Sequence, residues 1–149
     1  MMRFVFIMQV RNKCIIAYGR NNYMAIGKFA IKETKTGVKF NLKASNGEII
    51  LSSQVYKSDK SCLNGIQSVI KNAPIAAVEI QTEENYKVEK CPKFEVYEDN
   101  AGETRFRLKA RNGQIIGVSE GYKALKSATN GIESVIKNAQ GEQIVREEK

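Results

Sequence analysis

KFNLKASNGEIILSSQVYKSDKSCLNGIQSVIKNA, residues 39–73, returns at residues 105–139 as RFRLKARNGQIIGVSEGYKALKSATNGIESVIKNA, with 22 identities in 35 aligned positions. A match of that density at a fixed offset of 66 is an internal duplication, so the fold has to be read in units of the repeat. Working outward, Lys28 and Phe29 match Lys93 and Phe94 and Gly37 matches Gly102 at an offset of 65, which puts one extra residue in the hairpin loop of the second copy.

Within each copy the apolar period is two and then becomes helical. Phe29 and Ile31 alternate with Lys28, Ala30 and Lys32, and Val38, Phe40 and Leu42 alternate with Lys39, Asn41 and Lys43, as in half-buried strands. Thr36-Gly37 and Asn100-Ala101-Gly102 suit hairpin turns with a glycine at positive φ. Asn46-Gly47 and Asn112-Gly113 signal a second hairpin, so Ile49 to Ser52 and Ile115 to Val118 are expected third strands. Cys62, Ile66, Val69, Ile70 and Ala73 then fall on one face only in a helix, as do Ala128, Ile132, Val135, Ile136 and Ala139. Asn72 and Asn138 are expected to close the helices in a left-handed cap, and Pro74 blocks continuation. Residues 76–81 and 142–146 read as short fourth strands, able to cross to the other copy, because one copy of about 50 residues has a thin core and open sheet edges.

Composition excludes more than it assigns. The 149 residues, 42% hydrophobic and 27% charged, describe a folded domain. Three cysteines without CxxC spacing write neither a disulfide framework nor a metal site, and suit reduced, cytoplasmic thiols. The absence of histidine removes the commonest general base near neutral pH and the usual imidazole ligands. The apolar runs near the start are broken by Arg11 and Lys13, too short for a signal peptide or a membrane-spanning helix. Of the net charge of +8, residues 1–26 carry +4, leaving a mild +4 on the other 123 residues.

The combined pattern, Lys-Phe, then Phe-x-Leu-Lys-Ala-x-Asn-Gly-x-Ile-Ile, then Ser-x-x-Tyr-Lys and Asn-Gly-Ile-x-Ser-Val-Ile-Lys-Asn-Ala, occurs twice and closely resembles the YegP-like family of bacterial tandem-repeat domains of unknown function. The resemblance covers roughly residues 27–147. It implies a duplicated β(3)-α-β unit in one sheet with the terminal strands exchanged, and no activity, substrate or catalytic residue. Family members tend to begin just before the Gly-Lys-Phe that is here Gly27, Lys28 and Phe29, so residues 1–23 are expected to be an added or mis-assigned leader outside the fold, with Met24 at the start that such members would have.

Two polar surfaces are candidate binding sites. On the outward face of the second strands stand Lys39, Asn41 and Lys43 and their counterparts Arg105, Arg107 and Lys109, with Arg111 in the turn beyond. Alternate strand residues lie about 7 Å apart, close to backbone phosphate spacing, so the row could meet a polyanion. A solvated face without aromatic residues to stack bases is the plainer reading. On the helices, Asn64, Ser68 and Lys71, repeated as Asn130, Ser134 and Lys137, point away from the core. Tyr56 and Tyr122 read as plugs over the core edge, and Gly65 and Gly131, each costing about 1 kcal/mol in a helix, as points of close packing.

The expected architecture is α+β: tandem duplicated β(3)-α-β units forming a single antiparallel sheet with the helices on one face. Residues 1–26 form a loosely ordered extension, 27–81 the first repeat, 82–91 a linker and 92–149 the second repeat, the two repeats closing into one pseudo-twofold domain. The expected function is a non-catalytic protein-interaction or self-association module, without metal, cofactor or membrane partner, working as a monomeric pseudo-dimer or a homo-oligomer. The alternative is weak, sequence-independent nucleic-acid or polyanion binding through the basic strand face.

Overall fold

The computed structural model describes residues 4–10, 13–19, 27–141 and 143–147. In chain order the elements are β1 (Phe4–Val10), β2 (Lys13–Gly19), β3 (Lys28–Glu33), β4 (Val38–Lys43), β5 (Ile49–Ser52), α1 (Asp59–Asn72), β6 (Ala77–Ile80), β7 (Lys93–Glu98), β8 (Thr104–Lys109), β9 (Ile115–Val118), α2 (Leu125–Ala139) and β10 (Ile144–Arg146). β3 to β10 form one eight-stranded sheet in the order β10-β3-β4-β5-β9-β8-β7-β6. The fourth strand of each copy therefore lies on the first strand of the other, β10 on β3 and β6 on β7.

Both exchanged pairs are parallel, whereas the hairpins and the β5–β9 junction are antiparallel. The sheet is thus mixed and not the antiparallel one expected. Between β6 and β7 the cause is the connection: residues 81–92 are long enough to carry the chain back to the end from which β6 started, so β7 runs the same way beside it. β1 and β2 pair with each other as a separate two-stranded sheet. The expectation of a loosely ordered 1–26 falls partly on residues 1–3, 11–12 and 20–26, which lie outside the described residues.

One face of the eight-stranded sheet carries Phe29, Phe40, Leu42, Leu51, Phe94, Phe106 and Leu108, all fully buried against Ile66, Val69, Ile132 and Val135 of the helices. Full burial of such a side chain contributes roughly 1.5–3 kcal/mol, so this shared interior binds the copies together. The halves interlock where Leu51 fills the space that Gly117, at the equivalent place in the other copy, leaves open: a Cβ on Gly117 would lie 2.6 Å from the Leu51 Cγ.

Two turn readings change. Gly47 and Gly113 do hold φ of +91° and +86°, and so does Gly102 at +85°, but Gly37 has no positive φ. Its side-chain position is occupied by the Tyr56 carbonyl, drawn in by the Val38–Tyr56 bridge, so there the glycine is needed for space. Asn72 and Asn138 also stay out of the left-handed region. Each is a buried helical residue whose side-chain amide donates to the carbonyl four residues back, Ser68 and Ser134 respectively, at 2.7 Å. The Asn138 Oδ1 accepts the Gly27 N–H at 2.7 Å, tying the second helix to the entry of the first copy's sheet.

The helix glycines are explained by their own tyrosines. Tyr56 stacks on Phe40 and Tyr122 on Phe106 at centroid distances of 6.3 and 6.2 Å, and each hydroxyl end lies over Gly65 or Gly131 where a Cβ would be. Burial raises the pKa of both phenols above their usual value. They are packing residues, as the plug reading expected.

Candidate functional site

The face of the sheet away from the helices carries a continuous cross-strand line: Val145, Ala30, Asn41, Ser52, Val118, Arg107, Glu95 and Glu79. The first-copy half is neutral and small, and the Ser52 hydroxyl donates to the Asn41 Oδ1 at 2.7 Å. The other half is ionic. Glu79 and Glu95 are 2% and 3% exposed, and Lys93, alongside, is 7% exposed.

Their charges are compensated on every side. Lys93 Nζ lies 2.7 Å from Glu79 and 3.2 Å from Glu95, and Glu95 also takes Arg107 at 2.7 Å and Lys109 at 3.1 Å. Gln81 and the backbone N–H of Glu89 donate to Glu79 at 2.6 and 2.7 Å, so the linker closes over the carboxylate. Burial alone would raise the Glu79 pKa, but the hydrogen bonds from Gln81, Lys93 and the Glu89 N–H prevail and hold it at about 2. Glu95 is likewise lowered against its burial by Arg107, Lys109 and Lys93. Lys93 is raised, chiefly by its hydrogen bond to Glu79.

This changes the character of the basic row. Lys39, Asn41, Lys43, Arg105, Arg107 and Lys109 do share the outer face, but most of the cations are taken. Arg105 binds Asp99 at 2.6 Å, Arg107 and Lys109 bind Glu95, and Lys43 binds Glu147. Arg107 also lies 4.5 Å over the Tyr97 ring. Glu79 and Glu95 escaped the sequence reading because their repeat partners are Val145 and Ala30, so no duplication drew attention to them. That very mismatch, in a chain otherwise so faithful to its repeat, was the available signal.

At the centre of the same face, β5 and β9 meet through the single pair Ser52–Val118, at the C-terminal ends of both strands. The stagger opens a groove of about 680 Å³ lined by Ile49, Ile115, Val118 and Ser52, with Arg105 and Glu120 at the rim. Ile49 and Ile115 are each 42% exposed. Ser53 and Ser119 also line it, but each hydroxyl donates to the next residue's carbonyl at 2.7 Å and accepts the N–H of Phe40 or Phe106 at 2.9 Å.

Asn64, Lys71, Asn130 and Lys137 are exposed as expected, whereas Ser68 and Ser134 are half-buried and held by Asn72 and Asn138. The fold brings Asn64, Ser68 and Lys71 of α1 to Arg111 of the second copy's turn, a meeting of the two candidate surfaces that sequence alone does not place. Among the described residues no group of three or more Cys, Asp or Glu is arranged to hold a metal ion, and no helix is long and apolar enough to cross a membrane.

A duplicated β(3)-α-β unit, closed by exchanged strands over one interior, defines a tandem-repeat α+β domain. The chain belongs to the family described as Domain of unknown function (DUF1508), whose model matches residues 35–79 and again 99–145. It is similar to UPF0339 protein YegP of Yersinia pestis, 48% identical over 116 residues that cover 77% of this chain and 90% of that protein. Two solution NMR structures share the fold. The protein of unknown function yegP from E. coli superposes with a TM-score of 0.67 at 33% identity, covering 84% of this chain and 96% of that one. UPF0339 protein SO3888 from Shewanella oneidensis gives 0.66 at 32% identity, covering 83% and 92%.

Proposed function

We propose that the protein is a non-catalytic interaction module that takes an extended segment of a partner protein into the seam groove between β5 and β9. The observation that carries this reading is the groove itself: two exposed isoleucines, Ile49 and Ile115, from equivalent places in the two copies, face one cleft between staggered strands. Exposed apolar side chains in a recess with a polar rim are what a protein interface needs, and the stagger leaves a slot beside strand backbone for an extended chain. The hydroxyls of Ser53 and Ser119 are committed to backbone partners and that of Ser52 to Asn41, which argues against a nucleophile there. Cys62 and Cys91 are free thiols, consistent with a reducing, cytoplasmic setting.

Polyanion binding through the strand face has less support, because Lys43, Arg105, Arg107 and Lys109 each hold a carboxylate. A photo-crosslinking amino acid placed at Ile115 in cells tests the proposal. A discrete protein adduct is expected from that position and not from Lys57, and it should vanish when Ile49 is replaced by Asp. An adduct of twice the chain mass would identify the partner as a second copy. No adduct at Ile115, or the same adducts from Lys57, would overturn the reading.

A further inference from the structure

A second recess lies on the helix side of the molecule, between α1 of the first copy and the β8–β9 turn of the second. It has a volume of about 390 Å³, and Asn64, Gln67, Ser68 and Lys71 on the helix face Arg111 and Asn112 on the turn. That volume lies within the range of small-ligand pockets. Unlike Lys43, Arg105, Arg107 and Lys109 of the sheet face, Lys71 and Arg111 have no carboxylate partner among the described residues. Nor do the side-chain amides of Asn64 and Gln67 make a hydrogen bond among those residues. Two uncompensated cations and two unused amides therefore surround one small recess.

The repeat supplies an internal control. The equivalent residues are Asn130, Glu133, Ser134 and Lys137 on α2 and Ser45 and Asn46 in the first copy's turn. There Gln67 has become Glu133 and Arg111 has become Ser45, so the site of two cations is matched by one cation and one carboxylate. The positive charge is confined to one of two otherwise parallel places.

We infer that this recess binds a small phosphomonoester. Arginine presents a planar fork that takes two phosphate oxygens together, lysine adds a second charge, and amides can serve the hydroxyls of the attached group. The site is distinct from the seam groove and stands whether or not that groove takes a partner.

The test is an NMR titration of the ¹⁵N-labelled full chain with ribose 5-phosphate, inorganic phosphate and acetate. Saturable shifts are expected at the amides of Asn64, Gln67, Arg111 and Asn112, with ribose 5-phosphate tighter than inorganic phosphate and acetate weakest. The double variant Lys71→Ala, Arg111→Ser should lose affinity by about tenfold or more, as charge-assisted hydrogen bonds go. Gln67→Glu, which borrows the second copy's residue, should weaken binding without touching either cation. Lys137→Ala should leave it unchanged. Unsaturable shifts spread over Lys39, Lys57 and other lysines would mean an adventitious ion only and overturn the site. So would acetate matching phosphate, or undiminished affinity in the double variant and in Gln67→Glu.

Discussion

The two halves of the outer sheet face have the same backbone and opposite chemistry. Where the first copy's half sets Val145, Ala30 and Asn41 side by side, the second sets Glu79, Glu95 and Arg107 at the matching positions. One half satisfies its covered positions by having little to satisfy, the other by a closed set of ion pairs under the linker. The difference teaches that this face tolerates either solution, provided that no charge is left alone: apolar replacement of a whole buried pair is commonly neutral, while loss of one partner is not.

The hardest blow to that comparison is Glu79→Ala, which strips the closer carboxylate from the buried Lys93 ammonium. It should cost about 3 kcal/mol in urea denaturation. Glu79→Val combined with Lys93→Met should restore most of that loss, whereas a double variant as unstable as the single one would show that the charges themselves are needed. Leu51→Ala, at the interlock with Gly117, should cost a similar 2–4 kcal/mol, as deletion of a fully buried leucine does.

Acid separates the halves next. The Glu79 pKa is depressed from 4.5 to about 2, so its contribution to stability is complete above about 4.5 and is lost as pH falls toward 2. Stability measured across that window should fall less steeply in Glu79→Gln than in the parent. An unchanged slope would remove Glu79 from the acid response.

Smaller differences lie in the helices. The Ser58 hydroxyl caps α1 by accepting the Ser61 N–H at 3.1 Å, whereas α2 starts at Ala124 with no side-chain cap. Ala124→Ser should therefore stabilise the protein by about 1 kcal/mol, and Ser58→Ala should cost about as much, both read as shifts in the melting temperature. Smallest of all, Asp59→Asn breaks the exposed pair with Arg146 and should leave the melting temperature unchanged.

Much of the fold was legible because duplication shows every periodic position twice. The spacing places the third strands at Ile49 to Ser52 and Ile115 to Val118, where the structure has them, and the fourth strands lie within residues 76–81 and 142–146. Parallel pairing of those strands was not legible: a four-residue apolar run carries no record of the direction from which its neighbour arrives. Asn72 and Asn138 misled because a helix-final asparagine is commonly a cap, and only tertiary burial reveals that these turn inward to Ser68 and Ser134. The candidate surfaces were visible as rows of cations. Their neutralisation was not, since Glu79 reaches Lys93 and Glu95 only after the fourth strand has crossed to the other copy. Nor could sequence reveal the seam groove, which depends on how far β5 and β9 overlap.

That crossing is the claim on which the rest stands, and the most direct test is the melting of a fragment spanning residues 27–91 over a range of concentrations. Without β10 to cover β3, or a β7 on which to lay β6, the fragment should either fail to melt cooperatively or fold only by pairing with a second copy. In the latter case its melting temperature would rise with concentration. A cooperative melt that is independent of concentration, from a species of one fragment's mass, would contradict closure by exchanged strands.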